Sequence, residues 1–96
     1  MKLYVLVRKD LPRKYQAVQA GHAVAEYLLR VPRLVWDNGT LIYLSVRNEM
    51  ELASWGEKLT KEKINWCGFR EPDIGNQLTA IATVSDGTAF NSLRLL

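Results

Sequence analysis

Positively charged side chains cluster in one short segment of this 96-residue sequence. Four basic residues and one acidic residue lie between positions 8 and 14, namely Arg8, Lys9, Arg13, Lys14 and Asp10. The segment therefore has a net charge of +3, equal to that of the whole sequence. A strand-like run precedes it and a helical pattern follows, so the N-terminus of a helix would add free N–H groups and partial positive charge. The segment predicts an anion site, with phosphate as the anion, and a solvated basic turn is the alternative.

A line of polar side chains follows on the predicted helix. Tyr15, Gln19, His22 and Glu26 are separated by 4, 3 and 4 residues, so they lie on one side of a helix. Histidine can act as a general base or hydrogen-bond donor near neutral pH. The ordinary alternative is a helix histidine that packs beneath a loop and is satisfied by one carbonyl group.

Two carboxylates, Glu71 and Asp73, occur in a loop-like segment over residues 70–76. This loop follows a strand-like run, and a carboxylate at that place can orient water or hold a lysine. Tight loops also use Pro, Asp, Gly and Asn, so turn formation explains the same composition. Thr79, on the next strand, can direct a hydroxyl into the same cleft, although strand propensity accounts for it equally well.

The elements that must position these groups follow from the pattern of apolar residues. Strands are predicted over residues 3–7, 40–46, 63–69 and 77–84, with helices over 13–31 and after a cap at Asn48. On the first helix, the buried stripe is predicted at Ala17, Gly21, Val24, Leu28 and Val31. The order β-α-β-α-β-β predicts an α/β fold, in which a single four-stranded mixed sheet carries helices on both faces. Residues 1–96 form one domain, and residues 85–96 form a short C-terminal tail.

Composition excludes several classes of protein. Hydrophobic residues make up 48% and charged residues 24%, which is typical of globular rather than disordered chains. One cysteine, Cys67, and one histidine exclude an internal disulfide and make a zinc site implausible, so no metal or cofactor is expected. No apolar run approaches the roughly 20 residues that cross a bilayer, and no signal-peptide pattern precedes the first strand. A cytoplasmic protein without a membrane partner is therefore expected.

Two motifs resemble the archaeal and eukaryotic type of peptidyl-tRNA hydrolase. Arg8-Lys9-Asp10-Leu11 after a strand is similar to the basic-Asp-Leu turn of that family. Gln19-Ala20-Gly21-His22-Ala23 on the following helix is similar to the family's Ala-Ala-Gln-x-x-His-Ala signature. In outline the resemblance extends over about residues 2–84 and ends with Thr79-Ala80-Ile81-Ala82 in the last strand.

The resemblance implies hydrolysis of the ester between a peptide and tRNA, by a homodimer that needs no metal. It implies three groups of site residues: His22, Lys14, Glu71 and Asp73 for catalysis; Arg8, Lys9, Arg13 and Lys14 for tRNA phosphate; and Asp10, Tyr15, Gln19 and Thr79 for support of the cleft. A catalytically impaired RNA- or protein-binding module of the same fold is the alternative, and a structural homo-oligomer is a third interpretation.

The sequence departs from the family's pattern in two places that bear on catalysis. The family's helix-start lysine falls at Tyr15, with Lys14 one residue earlier. The family's Asp-Ala-Gly-x-Thr loop is replaced by residues 71–76, where Glu71 or Asp73 stands in for the aspartate and the threonine is missing. Whether Lys14 reaches the cleft that Tyr15 faces therefore separates the hydrolase from the binding module.

Overall fold

Five strands and two α-helices make up the computed structural model, which describes residues 1–96. In chain order the elements are β1 (Lys2–Arg8), α1 (Arg13–Arg30), β2 (Leu41–Val46), α2 (Glu49–Lys61), β3 (Trp66–Glu71), β4 (Gln77–Ser85) and β5 (Arg94–Leu95). Two short 3-10 turns, Pro72–Ile74 and Thr88–Phe90, precede β4 and β5. The predicted order of helices and of the first four strands is confirmed.

The strands form one mixed sheet in the order β3-β4-β1-β2-β5. The helical crossover makes β1 and β2 parallel, whereas β4 runs antiparallel to both β1 and β3. Strand β1 lies at the centre, and it is buried from Leu3 to Arg8 because both faces of the sheet are covered. A strand buried on both faces has the near-continuous apolar sequence that β1 shows.

The prediction of four strands is wrong, because residues 94–95 add a fifth strand antiparallel to β2. The segment before it is anchored by Phe90, which is only 3% exposed and packs 5.0 Å from the Tyr4 ring and 5.4 Å from the Trp55 ring, measured between centroids. A two-residue strand has no alternation that the sequence can reveal. Its position is set instead by the burial of Phe90, and much of the predicted tail is therefore part of the folded sheet.

The two helices cover opposite faces of the sheet. Side chains of β1 alternate between two apolar clusters: Leu3, Val5 and Val7 pack with Ala20, Ala23 and Tyr27 of α1, while Tyr4 and Leu6 pack with Leu52 and Leu59 of α2. Helix α2 begins at the predicted cap, where Asn48 Oδ1 accepts a hydrogen bond of 3.0 Å from the Glu51 N–H group. Neither helix combines the length and apolarity that a membrane span requires.

The buried face of α1 differs from the predicted one. The residues buried against the sheet are Gln19, Ala20, Ala23 and Tyr27. Of the predicted stripe, Ala17, Gly21 and Leu28 are exposed, so that prediction is wrong for most of its length. A hydrophobicity pattern counts Gln19 as a surface residue, although hydrogen bonds within the protein satisfy its amide. The small side chains of Ala20 and Ala23 let the helix approach the sheet closely on this face.

Candidate functional site

A cleft of about 380 Å³ lies between the start of α1 and the turn that follows β3. Its lining residues are Leu11, Pro12, Tyr15, Gln19, Glu71, Asp73 and Ile74. The structure thus brings together four of the residues singled out from the sequence: Tyr15 and Gln19 from α1, Glu71 from the end of β3, and Asp73 from the turn that follows. The predicted loop over residues 70–76 is shorter than expected, because β3 continues to Glu71. We call this concavity the cleft.

A chain of hydrogen bonds runs from the core of the sheet to the wall of the cleft. The Thr79 hydroxyl donates to Gln19 Oε1 at 2.7 Å, and its oxygen also lies 3.2 Å from the carbonyl oxygen of Phe69. Gln19 Nε2 then donates to Glu71 Oε1 at 2.8 Å. Thr79 is fully buried and Gln19 is 4% exposed, so the amide has a fixed orientation. Thr79 and Gln19 therefore fix the position of the Glu71 carboxylate at the wall of the cleft.

The two carboxylates of the cleft differ in burial and in hydrogen bonding. Glu71 is half-buried: one of its oxygens accepts from Gln19, and the other accepts from the Asp73 N–H group at 3.4 Å. The 3-10 turn that contains Asp73 ends at Gly75, whose φ of 72° lies in the left-handed region that favours glycine. Asp73 is exposed, and its carboxylate makes no hydrogen bond or ion pair within the chain. Glu71 is therefore held in place while Asp73 is free to meet a ligand.

His22 does not line the cleft. Its ring stacks on Phe69 of β3, with 4.1 Å between ring centroids and 7° between ring planes. Because His22 follows Gln19 by almost one helical turn, it lies on the sheet side of α1 but farther along the helix axis than the cleft. The predicted polar line on α1 therefore divides, with Tyr15 and Gln19 in the cleft and His22 on an aromatic partner beyond it.

Arg8 and Asp10 form an internal ion pair. Arg8 Nε and Nη2 donate to the two carboxylate oxygens of Asp10, each at 2.9 Å. Arg8 Nη1 donates to Gln77 Oε1 at 2.9 Å and to the Leu78 carbonyl oxygen at 3.1 Å. Hydrogen bonding to Arg8 lowers the pKa of Asp10, and the same bond raises the pKa of Arg8. At 6% exposure, Arg8 is a structural cation rather than a surface group that meets phosphate.

The other cations of the segment remain at the surface. Lys14 is not among the residues that line the cleft, but its ammonium nitrogen lies 5.2 Å from the centroid of the ring of Tyr15, which does line it. Arg13 begins α1 after Pro12, and the first turn of this helix has neither an acidic residue nor a side-chain cap. The positive end of the helix dipole is therefore not neutralised by the chain itself.

A second concavity, of about 500 Å³, adjoins the cleft. Its lining includes three cations, Lys9, Arg13 and Arg94, and we call these three residues the basic surface. Leu11 lines both concavities, so the basic surface and the cleft are neighbours. Sequence reasoning missed Arg94, because only the pairing of β5 with β2 brings it near Lys9.

Metal binding and nucleophilic catalysis by a thiol both depend on where the side chains of the required types lie. No group of three or more His, Cys, Asp or Glu residues is placed to hold a metal ion. Cys67 is half-buried on β3, and this burial raises the pKa of its thiol. A thiol with a raised pKa is a poor source of the thiolate that nucleophilic catalysis needs.

Comparisons with known proteins show that this fold also occurs elsewhere. No protein-family model matches the sequence, and no curated protein matches it. A solved structure of a protein of unknown function from Agrobacterium tumefaciens superposes with a TM-score of 0.74 at 11% sequence identity. The match covers 99% of this chain and 96% of that one. The whole chain therefore has a fold that also occurs in that protein.

Proposed function

We propose that this protein hydrolyses the ester bond of peptidyl-tRNA, or of a related ester carried on RNA. One observation carries the proposal: Glu71, held by hydrogen bonds from Gln19, and the free carboxylate of Asp73 lie in a cleft that adjoins unpaired cations. Such a substrate presents phosphates and, at its 3′ end, an uncharged ester. Its recognition requires a basic surface beside a cleft that holds a proton acceptor.

In the proposed reaction, Asp73 is the general base. Its free carboxylate takes a proton from water while the water oxygen forms a bond to the ester carbonyl carbon. The negative charge that develops on the carbonyl oxygen is stabilised by the Lys14 ammonium group and the Tyr15 hydroxyl. When the intermediate collapses, the bond from carbon to the ribose oxygen breaks, and Asp73 returns the proton to that oxygen. Glu71 positions the loop, and His22 takes no part in the proton transfers.

A binding module of the same fold is the second candidate, and the contacts of two side chains, Glu71 and His22, favour it. Both oxygens of Glu71 already accept hydrogen bonds within the chain, and the His22 ring stacks on Phe69 outside the cleft. Only one carboxylate of the cleft is therefore free for proton transfer. In this alternative the cleft and the basic surface hold RNA without turnover. The homodimer implied by the family resemblance stays a prediction for either candidate.

Release of peptide from labelled peptidyl-tRNA tests the proposal directly. We expect Asp73→Asn to lower kcat at least about 100-fold, because it removes the general base. Lys14→Gln should lower kcat about tenfold, less than a buried oxyanion donor would, since the exposed ammonium group is screened by water. Glu57→Gln is the matched control, because it neutralises an exposed carboxylate on α2, against the opposite face of the sheet.

The two candidate functions give different outcomes in this assay. Turnover that neither Asp73→Asn nor Lys14→Gln changes would eliminate the site assignment. No turnover by the unmodified protein, together with tRNA binding that weakens as salt is raised, identifies the binding module. Turnover that falls in Asp73→Asn but not in Glu57→Gln supports the hydrolase.

A further inference from the structure

Three cations from three separate parts of the chain converge on the basic surface. Lys9 follows β1, Arg13 begins α1 and Arg94 belongs to β5. They line one concavity with Gln16 and Ser45, and no Asp or Glu side chain is among its lining residues. None of the three cations forms an ion pair, whereas Arg8, Arg30 and Arg47 each have a carboxylate partner.

Backbone hydrogen bonds fix Arg94 at this place. Arg94 lies opposite Ser45 in the pairing of β5 with β2, and the Ser45 hydroxyl donates to the Arg94 carbonyl oxygen at 3.4 Å. The Leu96 N–H group donates to the Tyr43 carbonyl oxygen at 3.0 Å, which continues the same pairing with β2. Leu93 packs against the apolar cluster beneath α2. The strand therefore presents Arg94 from a rigid edge rather than from a free terminus.

The segment that carries Lys9 and Arg13 is equally constrained. The Lys9 N–H group donates to the Val46 carbonyl oxygen at 2.9 Å, which continues the pairing of β1 with β2. Gln16 Nε2 donates to the carbonyl oxygens of Lys9 and Leu11, at 3.3 and 2.9 Å. The fold thus holds the backbones of all three cations in fixed relative positions.

Gathering unpaired like charges destabilises a fold through repulsion, and this repulsion is relieved when an anion binds. Lys9 and Arg94 also line a neighbouring groove, but its one carboxylate, Glu51, is paired with Arg47. Several separated cations on an open concavity suit a chain of phosphates better than one small anion. The shared wall at Leu11 joins this surface to the cleft in which the ester would react.

We propose that β5 completes the RNA-binding surface, with Arg94 contacting backbone phosphate beside Lys9 and Arg13 while the 3′ end of the RNA enters the cleft. This inference rests on the proposed function for the identity of the ligand, and it adds the path of the RNA backbone. The C-terminal strand then acts as a recognition element, and the polynucleotide is selected by a residue that lies outside the segment of residues 8–14.

The test compares Arg94→Gln with Lys2→Gln in binding of deacylated tRNA, followed by fluorescence anisotropy over a range of salt concentrations. Both substitutions remove one positive charge, but Lys2 lies at the opposite end of β1, about 20 Å from Lys9. We expect Arg94→Gln to raise Kd about five- to tenfold near 0.1 M salt and to reduce the slope of log K against log salt by about 1. Lys2→Gln should change Kd less than about twofold, because a distant exposed charge is screened.

The outcomes separate this inference from the proposed hydrolysis. If the protein binds tRNA without turnover and Arg94→Gln weakens that binding, the reaction is wrong and the RNA-binding surface stands. If Arg94→Gln binds tRNA as tightly as the unmodified protein, with an unchanged salt slope, the inference is overturned whether or not the ester is cleaved. Arg94→Lys keeps the charge, so it should retain the salt slope. If Arg94→Gln fails to fold, Arg94→Thr replaces it, because threonine also removes the charge and has a high strand propensity.

Discussion

Arg8 and Lys9 are neighbours in the sequence with the same charge, yet the fold uses them in opposite ways. Arg8 continues the face of β1 that carries Tyr4 and Leu6, so its guanidinium group lies inside and is held by four hydrogen bonds. Lys9 follows the end of the strand, and its side chain is exposed without an ion-pair partner. Charge counted along a sequence is therefore not the charge that a surface presents to a ligand.

The carboxylates of the cleft repeat this contrast. Glu71 is held by Gln19, whereas Asp73, two residues later, has no partner in the chain. In both regions one group is bonded internally and sets the geometry, and a nearby group of the same charge is left for a ligand. Substitution of the first kind of group should reduce stability, and substitution of the second kind should reduce binding or turnover.

The largest effect is expected for Arg8→Met. This change removes the buried partner of the Arg8–Asp10 ion pair and leaves the Gln77 Oε1 atom and the Leu78 carbonyl oxygen without their donor. We expect a loss of about 3 kcal/mol in the free energy of unfolding, measured with urea at pH 7. Lys9→Met is the matched control, and it should stay within about 0.5 kcal/mol because Lys9 is exposed. Equal losses in the two variants would contradict the division between internal and surface cations.

Thr79→Val should have the next largest effect. Valine has nearly the same shape as threonine, but it leaves Gln19 Oε1 without the hydroxyl donor of Thr79. The expected loss is about 2 kcal/mol in the free energy of unfolding, because the unsatisfied amide stays buried. Thr40→Val is the control at an exposed site. If Thr79→Ser, which keeps the hydroxyl, were as destabilised as Thr79→Val, the hydrogen-bond chain would not be the cause.

The fold was largely predictable from the sequence because most elements have strong local signals. The helices, the first four strands and the parallel pairing of β1 with β2 follow from apolar periodicity and from the length of the connections. The errors arose where tertiary contacts dominate. Strand β5 exists because the buried Phe90 carries its neighbours to the sheet, and the buried face of α1 includes Gln19 because two distant residues satisfy its amide.

The cleft was predictable in part for the same reason. Tyr15 and Gln19 share a helix face, and Glu71 and Asp73 are two residues apart at the end of a strand, so local patterns placed these residues together. The basic surface was not predictable, because Arg94 reaches it through a pairing between residues 45 and 94. The inward orientation of Arg8 depends on acceptors at Gln77 and Leu78, which no local pattern links to β1.

Asp10→Asn should have the smallest of the three effects, and a characteristic dependence on pH. Hydrogen bonding to Arg8 lowers the pKa of Asp10 below its ordinary value of 3.8, so the ionised carboxylate stabilises the folded state. This contribution is fully present above pH 4–5, and it disappears as the pH falls through the lowered pKa. At pH 7 we expect a loss of about 1–2 kcal/mol in the free energy of unfolding, since the side chain is 39% exposed and water screens the pair.

Urea titrations at pH 7, 4 and 2 should show the variant and the unmodified protein converging in stability as the pH falls. Asp86, whose pKa is lowered by hydrogen bonds from Thr88, remains in both proteins, so each still loses stability in acid. A difference between the two proteins that stays constant from pH 7 to pH 2 would show that the Asp10 carboxylate does not stabilise Arg8 through its charge.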